Sequence, residues 1–243
     1  MATVQALSTL VPPGVAVDSW VFAREAFDPR KACAAASHKL TAHKPQIEKA
    51  DFMANVTIFG TGNMGTAIAD VLTAGGSTVD HIGHADPRGP VNGDIVILAV
   101  YYAALKDILG EYADKFAGKT VVDITNPVNL ESFDSLLPPP ESSSAAELAA
   151  ALPSSQVIKA FNTTFAGTLS ARKVGPITTT VLVAGDDADS KAALIEAVKA
   201  GGVEAIDAGT LNRARELESM GFLQMKLAAS EQVGWTGGFG VVR

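Results

Sequence analysis

The chain has 243 residues, of which 47% are hydrophobic, so it can bury a sizeable core and its composition excludes global disorder. Lys and Arg number 19 and Asp and Glu number 26. The resulting formal charge of −7 disfavours nucleic acids and anionic membrane surfaces as partners. Cys33 is the only cysteine, which excludes an internal disulfide and fits a cytoplasmic, reducing compartment. The longest apolar run, residues 95–105, is shorter than the roughly 20 residues that span a bilayer, and the N-terminus lacks the order of a secretory signal.

Residues 1–52 differ from the remainder of the chain, because they hold two of the four His residues and the single Cys without any clear alternation. We therefore divide the chain into an N-terminal extension of unclear structure, 1–52, and a dinucleotide-binding domain with a C-terminal extension, 53–243. Two interpretations of the extension stay open. It is either a segment packed on the domain or on a partner, or else a disordered extension or the result of a start site placed too early.

From Asn55 onward, short apolar runs alternate with segments of helical periodicity. The run that begins at Ile95 is continuously apolar, as expected for a parallel strand covered on both faces. This alternation predicts an α/β fold, namely a Rossmann-type, doubly wound, mostly parallel sheet with a C-terminal helical extension. The predicted strands cover residues 56–59, 78–82, 95–100, 120–124, 156–161, 179–184 and 203–207.

Helix signals lie between these strands. Ser144 and Glu147 form a capping-box pattern for a helix that ends near Leu152. Asp186 and Asp187 precede another helix, and we favour helix capping over a metal site for them. Apolar residues at helical spacing predict two further helices, the first marked by Met64, Ala67, Ile68, Val71 and Leu72 and the last by Leu217, Met220, Leu223 and Leu227.

The segment Gly60-Thr61-Gly62-Asn63-Met64-Gly65 follows the first strand and opens the first helix. This GxGxxG pattern in a βαβ context is typical of a dinucleotide-binding turn. Its first glycine makes the tight turn, its second lets the backbone approach the pyrophosphate, and its third lets helix and strand pack closely. We therefore expect a nicotinamide dinucleotide here.

The loop after the second strand decides between NAD and NADP. Asp86 stands where a ribose-binding acid is expected, whereas His84 and Arg88 could contact a 2′-phosphate instead. The stretch 83–94 is too short and too rich in Gly and Pro for the usual crossover helix, so we expect an open adenine site.

Several segments carry a resemblance to known proteins, namely 56–65, the strand ending Ala99-Val100, 123–127, the helix after Ser144, 159–163, 184–187, 207–209 and the closing helix. In order and spacing they resemble one family, the NADPH-dependent reductases of the deazaflavin coenzyme F420 and their bacterial relatives. The resemblance covers roughly residues 55–243, and its more specific parts are the Thr-Asn-Pro segment within 123–127 and the Ala-Phe-Asn-Thr segment within 159–163. It implies a Rossmann domain, usually dimeric, in which a hydride passes between NADP(H) and the deazaflavin.

The resemblance also implies roles for particular residues. Residues 60–65 would bind the pyrophosphate, and Val100 and Tyr101 would flank the nicotinamide ribose. Asn126 and Pro127 would line the nicotinamide pocket, with Asn162 and Thr163 where the two rings meet. Family members commonly hold the 2′-phosphate with a Ser-Arg pair after the second strand, and here the sequence is Gly83-His84-Ala85.

Hydride transfer between two bound rings needs little acid–base help, and no Ser-His-Asp or Cys-His set is apparent, so we name no general base. Another acceptor (a flavin, a quinone or an imine) remains an alternative, as does a dinucleotide-binding module without turnover. The glycine-aromatic segment 235–240 packs either beside the active cleft or across a homodimer interface, or it is a loose terminus.

Overall fold

A computed structural model describes residues 53–86 and 89–242, all of which lie in the unit 48–243. The N-terminal extension 1–52, Pro87 and Arg88 lie outside the described residues. The strands are β1 (Asn55–Phe59), β2 (Thr78–Ile82), β3 (Ile95–Leu98), β4 (Thr120–Asp123), β5 (Gln156–Lys159), β6 (Lys173–Val174), β7 (Ile177–Thr178), β8 (Thr180–Gly185) and β9 (Glu204–Gly209). The α-helices are α1 (Asn63–Ala74), α2 (Leu105–Phe116), α3 (Ser144–Ala151), α4 (Ala166–Ala171), α5 (Ala188–Ala200) and α6 (Ala214–Ala229).

Seven strands form one sheet in the order β2-β1-β3-β4-β5-β8-β9. All neighbours are parallel except β5 and β8, which run antiparallel. The strands β6 and β7 pair separately as a short hairpin that the sequence analysis did not predict. The doubly wound, mostly parallel sheet and the C-terminal helix are thus confirmed.

Helices cover both faces of this sheet. Side chains of α1, α4 and α5 pack on one face around Ile58, Ile97 and Ile158. Side chains of α2, α3 and the start of α6 pack on the other, around Leu98 and Val121. Because β3 is buried on both sides, its sequence is continuously apolar rather than alternating. None of the helices in the described part is long and apolar enough to cross a membrane.

The start of α3 corrects one prediction. The capping residue is Ser143 rather than Ser144, since the Ser143 side chain accepts a hydrogen bond from the amide of Ala146. Glu147 does not close a capping box, because its carboxylate accepts a hydrogen bond from the Tyr102 hydroxyl. Asp187 caps α5 through the amide of Ser190, as the sequence predicted.

Candidate functional site

The carboxyl ends of four parallel strands meet at one edge of the sheet. Phe59, Leu98, Asp123 and Lys159, the last residues of β1, β3, β4 and β5, are aligned in register. The strand order reverses between β1 and β3, and ligands of open α/β sheets bind beyond the strand ends at such a switch point. The predicted residues 60–65, 100–101, 126–127 and 162–163 all follow these strand ends, so the fold gathers them at a single edge.

Two glycines of the turn after β1 are required by the fold itself. Gly60 has φ +109°, and a Cβ added to it would lie 2.2 Å from the carbonyl oxygen of Ala99. A Cβ on Gly65 would lie 2.5 Å from the carbonyl oxygen of Gly60. These positions need glycine for the turn and for close packing of α1 against β1, whether or not a ligand binds.

Gly62 is a different case. Its φ of −77° is open to any residue, and a Cβ added to it would meet nothing within 4 Å. Neither a steric contact nor a positive φ therefore requires glycine at this position. Gly62 is exposed between Thr61 and Asn63, which are also exposed, and Met64 then turns partly into the core.

The N-terminus of α1 is chemically suited to an anion. Gly62 is its N-cap residue, and no side chain caps the helix there. Among the described helices of eight residues or more, α1 alone has no acidic residue in its first turn. The first N–H groups of a helix carry a partial positive charge, so this end can receive a phosphate without competition from a carboxylate.

The loop after β2 lies beside this turn. Asp86 is exposed, and its Oδ2 accepts a hydrogen bond from the Gly83 amide over 2.5 Å. The His81 ring is 3.0 Å from the Gly60 carbonyl oxygen through Nδ1, which links β2 to the glycine turn. His84 is exposed, while Arg88 lies outside the described residues. The described residues between β2 and β3 contain no helix.

Two tyrosines follow β3. Val100 packs against the core, whereas Tyr101 is 79% exposed at the strand-end edge. The Tyr102 hydroxyl donates to Oε2 of Glu147 over 2.5 Å, and partial burial together with Glu147 raises the pKa of Tyr102 to about 12. Tyr102 therefore stays protonated at neutral pH and is not poised to exchange a proton.

Asn126 and Asn162 meet across the ends of β4 and β5. Asn162 Nδ2 donates to Asn126 Oδ1 over 3.0 Å and to the Leu217 carbonyl oxygen of α6 over 2.8 Å. Asn126 Nδ2 in turn donates to the Asn162 carbonyl oxygen over 2.9 Å. Pro127 and Thr163 are buried beside them. The Asn162 Oδ1 atom is buried too, and within residues 53–86 and 89–242 it has no hydrogen-bond partner.

A buried charged group below these turns was not predicted from the sequence. Its members are Asp123 at the end of β4, Lys159 at the end of β5 and Glu218 of α6. The signal was present, because Lys and Asp at the ends of predicted buried strands need partners. The conformation of Phe161 was not predicted either. Phe161 is fully buried with a left-handed φ of +61°, an uncommon conformation for a bulky residue that marks a constrained turn.

The C-terminal segment lies near this edge. The Trp235 ring packs on Phe165, two residues beyond Thr163, with centroids 5.0 Å apart. The Phe239 amide donates to Oε1 of Gln224 on α6. Of the placements considered for 235–240, the segment thus packs on the domain, next to the turn that follows β5.

No protein-family model matches the chain. Over 155 residues, 62% of its length, it is 30% identical to the F420-dependent NADP reductase of Methanocaldococcus jannaschii and covers 69% of that protein. Over 183 residues, 68% of its length, it is 30% identical to the metalloreductase STEAP3 of Rattus norvegicus. It spans only 36% of that metalloreductase. A solved structure from Arthrobacter sp. FB24, provisionally assigned as an F420-dependent NADP reductase, shares the fold with a TM-score of 0.67 and 23% identity. The likeness covers 77% of this chain and 99% of that one.

Proposed function

The chain belongs to the family of F420-dependent NADP reductases, and we propose that it transfers a hydride between NADP(H) and the deazaflavin coenzyme F420. The observation that carries the dinucleotide part of this proposal is Gly62. Its backbone and surroundings would accept a larger residue, yet it stands at the N-terminus of α1 where a bound pyrophosphate would need close access to the backbone. The lack of acids in the first turn of α1 supports the same conclusion.

In this proposal the residues after each strand bind a different part of the dinucleotide. Residues 60–65 hold the pyrophosphate, and His84 and Arg88 contact the 2′-phosphate beyond β2. Val100 and Tyr101 flank the nicotinamide ribose after β3. Asn126, Pro127, Asn162 and Thr163 line the ring pocket after β4 and β5.

The polar groups that we assign to the ring pocket suit a carboxamide-bearing ring. Asn162 Oδ1 is a buried acceptor without a donor among the described residues, and such an atom normally carries a hydrogen bond. The carboxamide of a nicotinamide ring has N–H groups that would donate a hydrogen bond to this oxygen. The exposed face of Tyr101 and the Trp235–Phe165 pair add aromatic surface suited to flat rings.

The residues of this edge serve orientation rather than proton transfer. Hydride chemistry is supplied by the nicotinamide and the deazaflavin themselves. The protein holds the two rings at a reacting distance, which is where most of its rate advantage would arise. Tyr102 keeps its proton, and Asn126 and Asn162 are uncharged, so the described part of the pocket contributes hydrogen bonds and shape. We place the enzyme in the cytoplasm as a homodimer.

The test is an acceptor panel with purified full-length protein. NADPH is mixed with coenzyme F420, a flavin, a quinone or a cyclic imine, and nicotinamide absorbance is followed. The proposal expects oxidation of NADPH with coenzyme F420 and little or none with the others. Turnover only with another acceptor would contradict the deazaflavin assignment, and NADPH binding without turnover on any of them would favour a non-catalytic module.

A further inference from the structure

Three charged side chains from different elements meet in the core beneath the strand-end edge. The Lys159 ammonium of β5 lies 2.9 Å from Asp123 Oδ2 of β4 and 2.8 Å from Glu218 Oε1 of α6. It also donates to the Thr125 carbonyl oxygen over 2.6 Å, so all three of its N–H groups have partners. The side chains of Lys159 and Asp123 are fully buried and that of Glu218 is 1% exposed.

This charged cluster, defined as Lys159, Asp123 and Glu218, holds the turn that leads to Asn126. Asp123 Oδ1 accepts from the Thr125 amide over 2.7 Å, while Lys159 binds the carbonyl of the same residue. Both backbone polar groups of Thr125 are therefore fixed by the cluster, one residue before Asn126.

The cluster also holds α3 and α6. Glu218 accepts hydrogen bonds from the amides of Ser144 and Ala145, the first residues of α3. The carbonyl oxygen of its neighbour Leu217 accepts a hydrogen bond from the Asn162 side chain. The turn after β5 runs from Lys159 through the left-handed Phe161 to Asn162. Its first residue belongs to the charged cluster, and its last residue binds Leu217, the neighbour of Glu218 on α6.

Stability alone is a poor explanation for this arrangement. Removing one ammonium and two carboxylates from water is unfavourable, and well-packed apolar replacements are often as stable. What a buried ionic group supplies is a fixed mutual position of the elements that carry its members. Here those elements are the ones that present the candidate ring pocket.

We propose that Lys159 is a positioning residue for hydride transfer, which sets the turns bearing Asn126 and Asn162 against α6 through Asp123 and Glu218. This inference rests on the proposed function, because it assigns the turns to the nicotinamide pocket. Lys159 touches neither ring. It acts through Thr125 and through the α6 segment that binds Asn162.

The test replaces the whole cluster, because removing Lys159 alone would leave two buried carboxylates facing each other. The variant Lys159→Met, Asp123→Asn, Glu218→Gln keeps the volume while it removes every charge. NADPH affinity should stay within about twofold, because the pyrophosphate turn is untouched. The kcat should fall by about 10- to 100-fold, the loss expected when reacting groups are misplaced by about 1 Å.

The matched control is the ion pair of Lys191 on α5 and Asp207 on β9, whose charged groups lie 2.8 Å apart. This pair lies away from the candidate pocket. The variant Lys191→Met, Asp207→Asn should leave kcat unchanged. A kcat that is unchanged in the cluster variant, or that falls equally in both variants, would overturn the inference. If the triple variant does not fold, Glu218→Gln alone, which keeps the Lys159–Asp123 contact, should still lower kcat without raising the NADPH KM.

Hydrogen exchange separates this inference from the proposed function. Amides of 124–128 and 160–166 should exchange faster in the cluster variant, and those of 60–66 should not change. Exchange that is equal in variant and wild type at 124–128 and 160–166 refutes the positioning role. If the wild type turned over no acceptor, faster exchange in the cluster variant would still show that Lys159 positions the two turns. Only the proposed reaction would then be refuted.

Discussion

Asn126 and Asn162 hold each other in place across the ends of β4 and β5, and Gly221 of α6 packs directly on the pair. A Cβ added to Gly221 would lie 2.4 Å from Asn126 Oδ1 and 2.7 Å from the Asn162 carbonyl oxygen. The helix therefore approaches the two turns as closely as it does because residue 221 has no side chain.

This contact predicts that Gly221→Ala acts against the usual rule for helices. Alanine in a helix interior normally stabilises by about 1 kcal/mol relative to glycine. At Gly221 the added methyl group must displace backbone, so we expect a loss of about 1–3 kcal/mol in the free energy of unfolding. Gly110 in α2 is the matched control, because a Cβ there meets nothing within 4 Å, and Gly110→Ala should stabilise. Urea unfolding of both variants measures the sign of each change in the free energy of unfolding. Stabilisation by Gly221→Ala would show that α6 does not press on the pair.

The glycine turn predicts a separation between folding and binding. Gly62→Val should leave the unfolding midpoint nearly unchanged, since its Cβ enters open space, but should weaken NADPH binding at least tenfold, about 1.4 kcal/mol. Gly60→Ala should instead destabilise the fold, because its Cβ would overlap the Ala99 carbonyl and its φ is positive. Fluorescence titration and thermal unfolding check both. Wild-type NADPH affinity in a folded Gly62→Val protein would remove the observation that carries the proposed function.

Local patterns were enough to predict most of the sheet and the edge where the site lies. The bounds of β2 match the prediction, because Gly75-Gly76 and Gly83 delimit its run on both sides. The antiparallel course of β8 was not predictable in this way, since an apolar run has the same pattern in either direction. The hairpin of β6 and β7 has two residues per strand, too few to show a period.

The inner face of α6 shows why the charged cluster was missed. The predicted stripe was Leu217, Met220, Leu223 and Leu227, yet only Leu217 of these is buried and Leu223 is 54% exposed. The buried face includes Glu218, Gly221 and Gln224. Glu218 binds Lys159 and the start of α3, Gly221 packs on the strand-end turns, and Gln224 binds the C-terminal segment, so none of these partners is an apolar side chain. Periodicity of apolar residues cannot reveal a polar inner face, because that face depends on contacts between segments distant in sequence.

For the proposed homodimer, the exposed Leu223 of α6 predicts where the interface lies. Leu223 lies on the outer side of the helix, where a second copy could cover it. Light scattering should give twice the chain mass of 25.1 kDa for the wild type and the single mass for Leu223→Glu. Met53→Glu serves as the control, because Met53 is 62% exposed at the opposite end of β1 and should not affect assembly. A wild-type monomer at micromolar concentration would contradict the dimer.

Arg88 should favour NADPH over NADH, and Asp86 should have the opposite effect. A 2′-phosphate adds about −1.5 to −2 charges, which Arg88 would attract and Asp86 would repel. We expect Arg88→Ala to weaken NADPH binding by about 1–2 kcal/mol and to leave NADH nearly unchanged. Asp86→Asn can keep the hydrogen bond from the Gly83 amide and should tighten NADPH binding. Tighter binding of NADH than NADPH by the wild type, lost in Asp86→Ala, would assign Asp86 to the ribose instead.

Glu218 predicts how stability changes with pH. Burial raises the pKa of this carboxyl above its ordinary value of 4.5; Lys159 opposes the rise and Asp123 adds to it. A group whose pKa is higher in the folded state binds its proton more tightly there, so the folded protein holds more protons than the unfolded chain between the two pKa values. The contribution of Glu218 to stability is therefore largest below pH 4.5 and is lost as pH rises through the folded pKa.

Glu218→Gln removes this dependence and keeps the shape of the side chain. Above pH 4.5, the free energy of unfolding of the wild type should fall relative to that of the variant until the pH has passed the folded pKa of Glu218, and should then run parallel to it. Glu216→Gln is the control on the same helix, since Glu216 is exposed and pairs with Arg213 at the surface, and its curve should follow the wild type. Urea unfolding at successive pH values measures all three curves. A wild-type curve that rises relative to Glu218→Gln would mean that the contact with Lys159 outweighs burial and that the Glu218 carboxylate is ionised throughout.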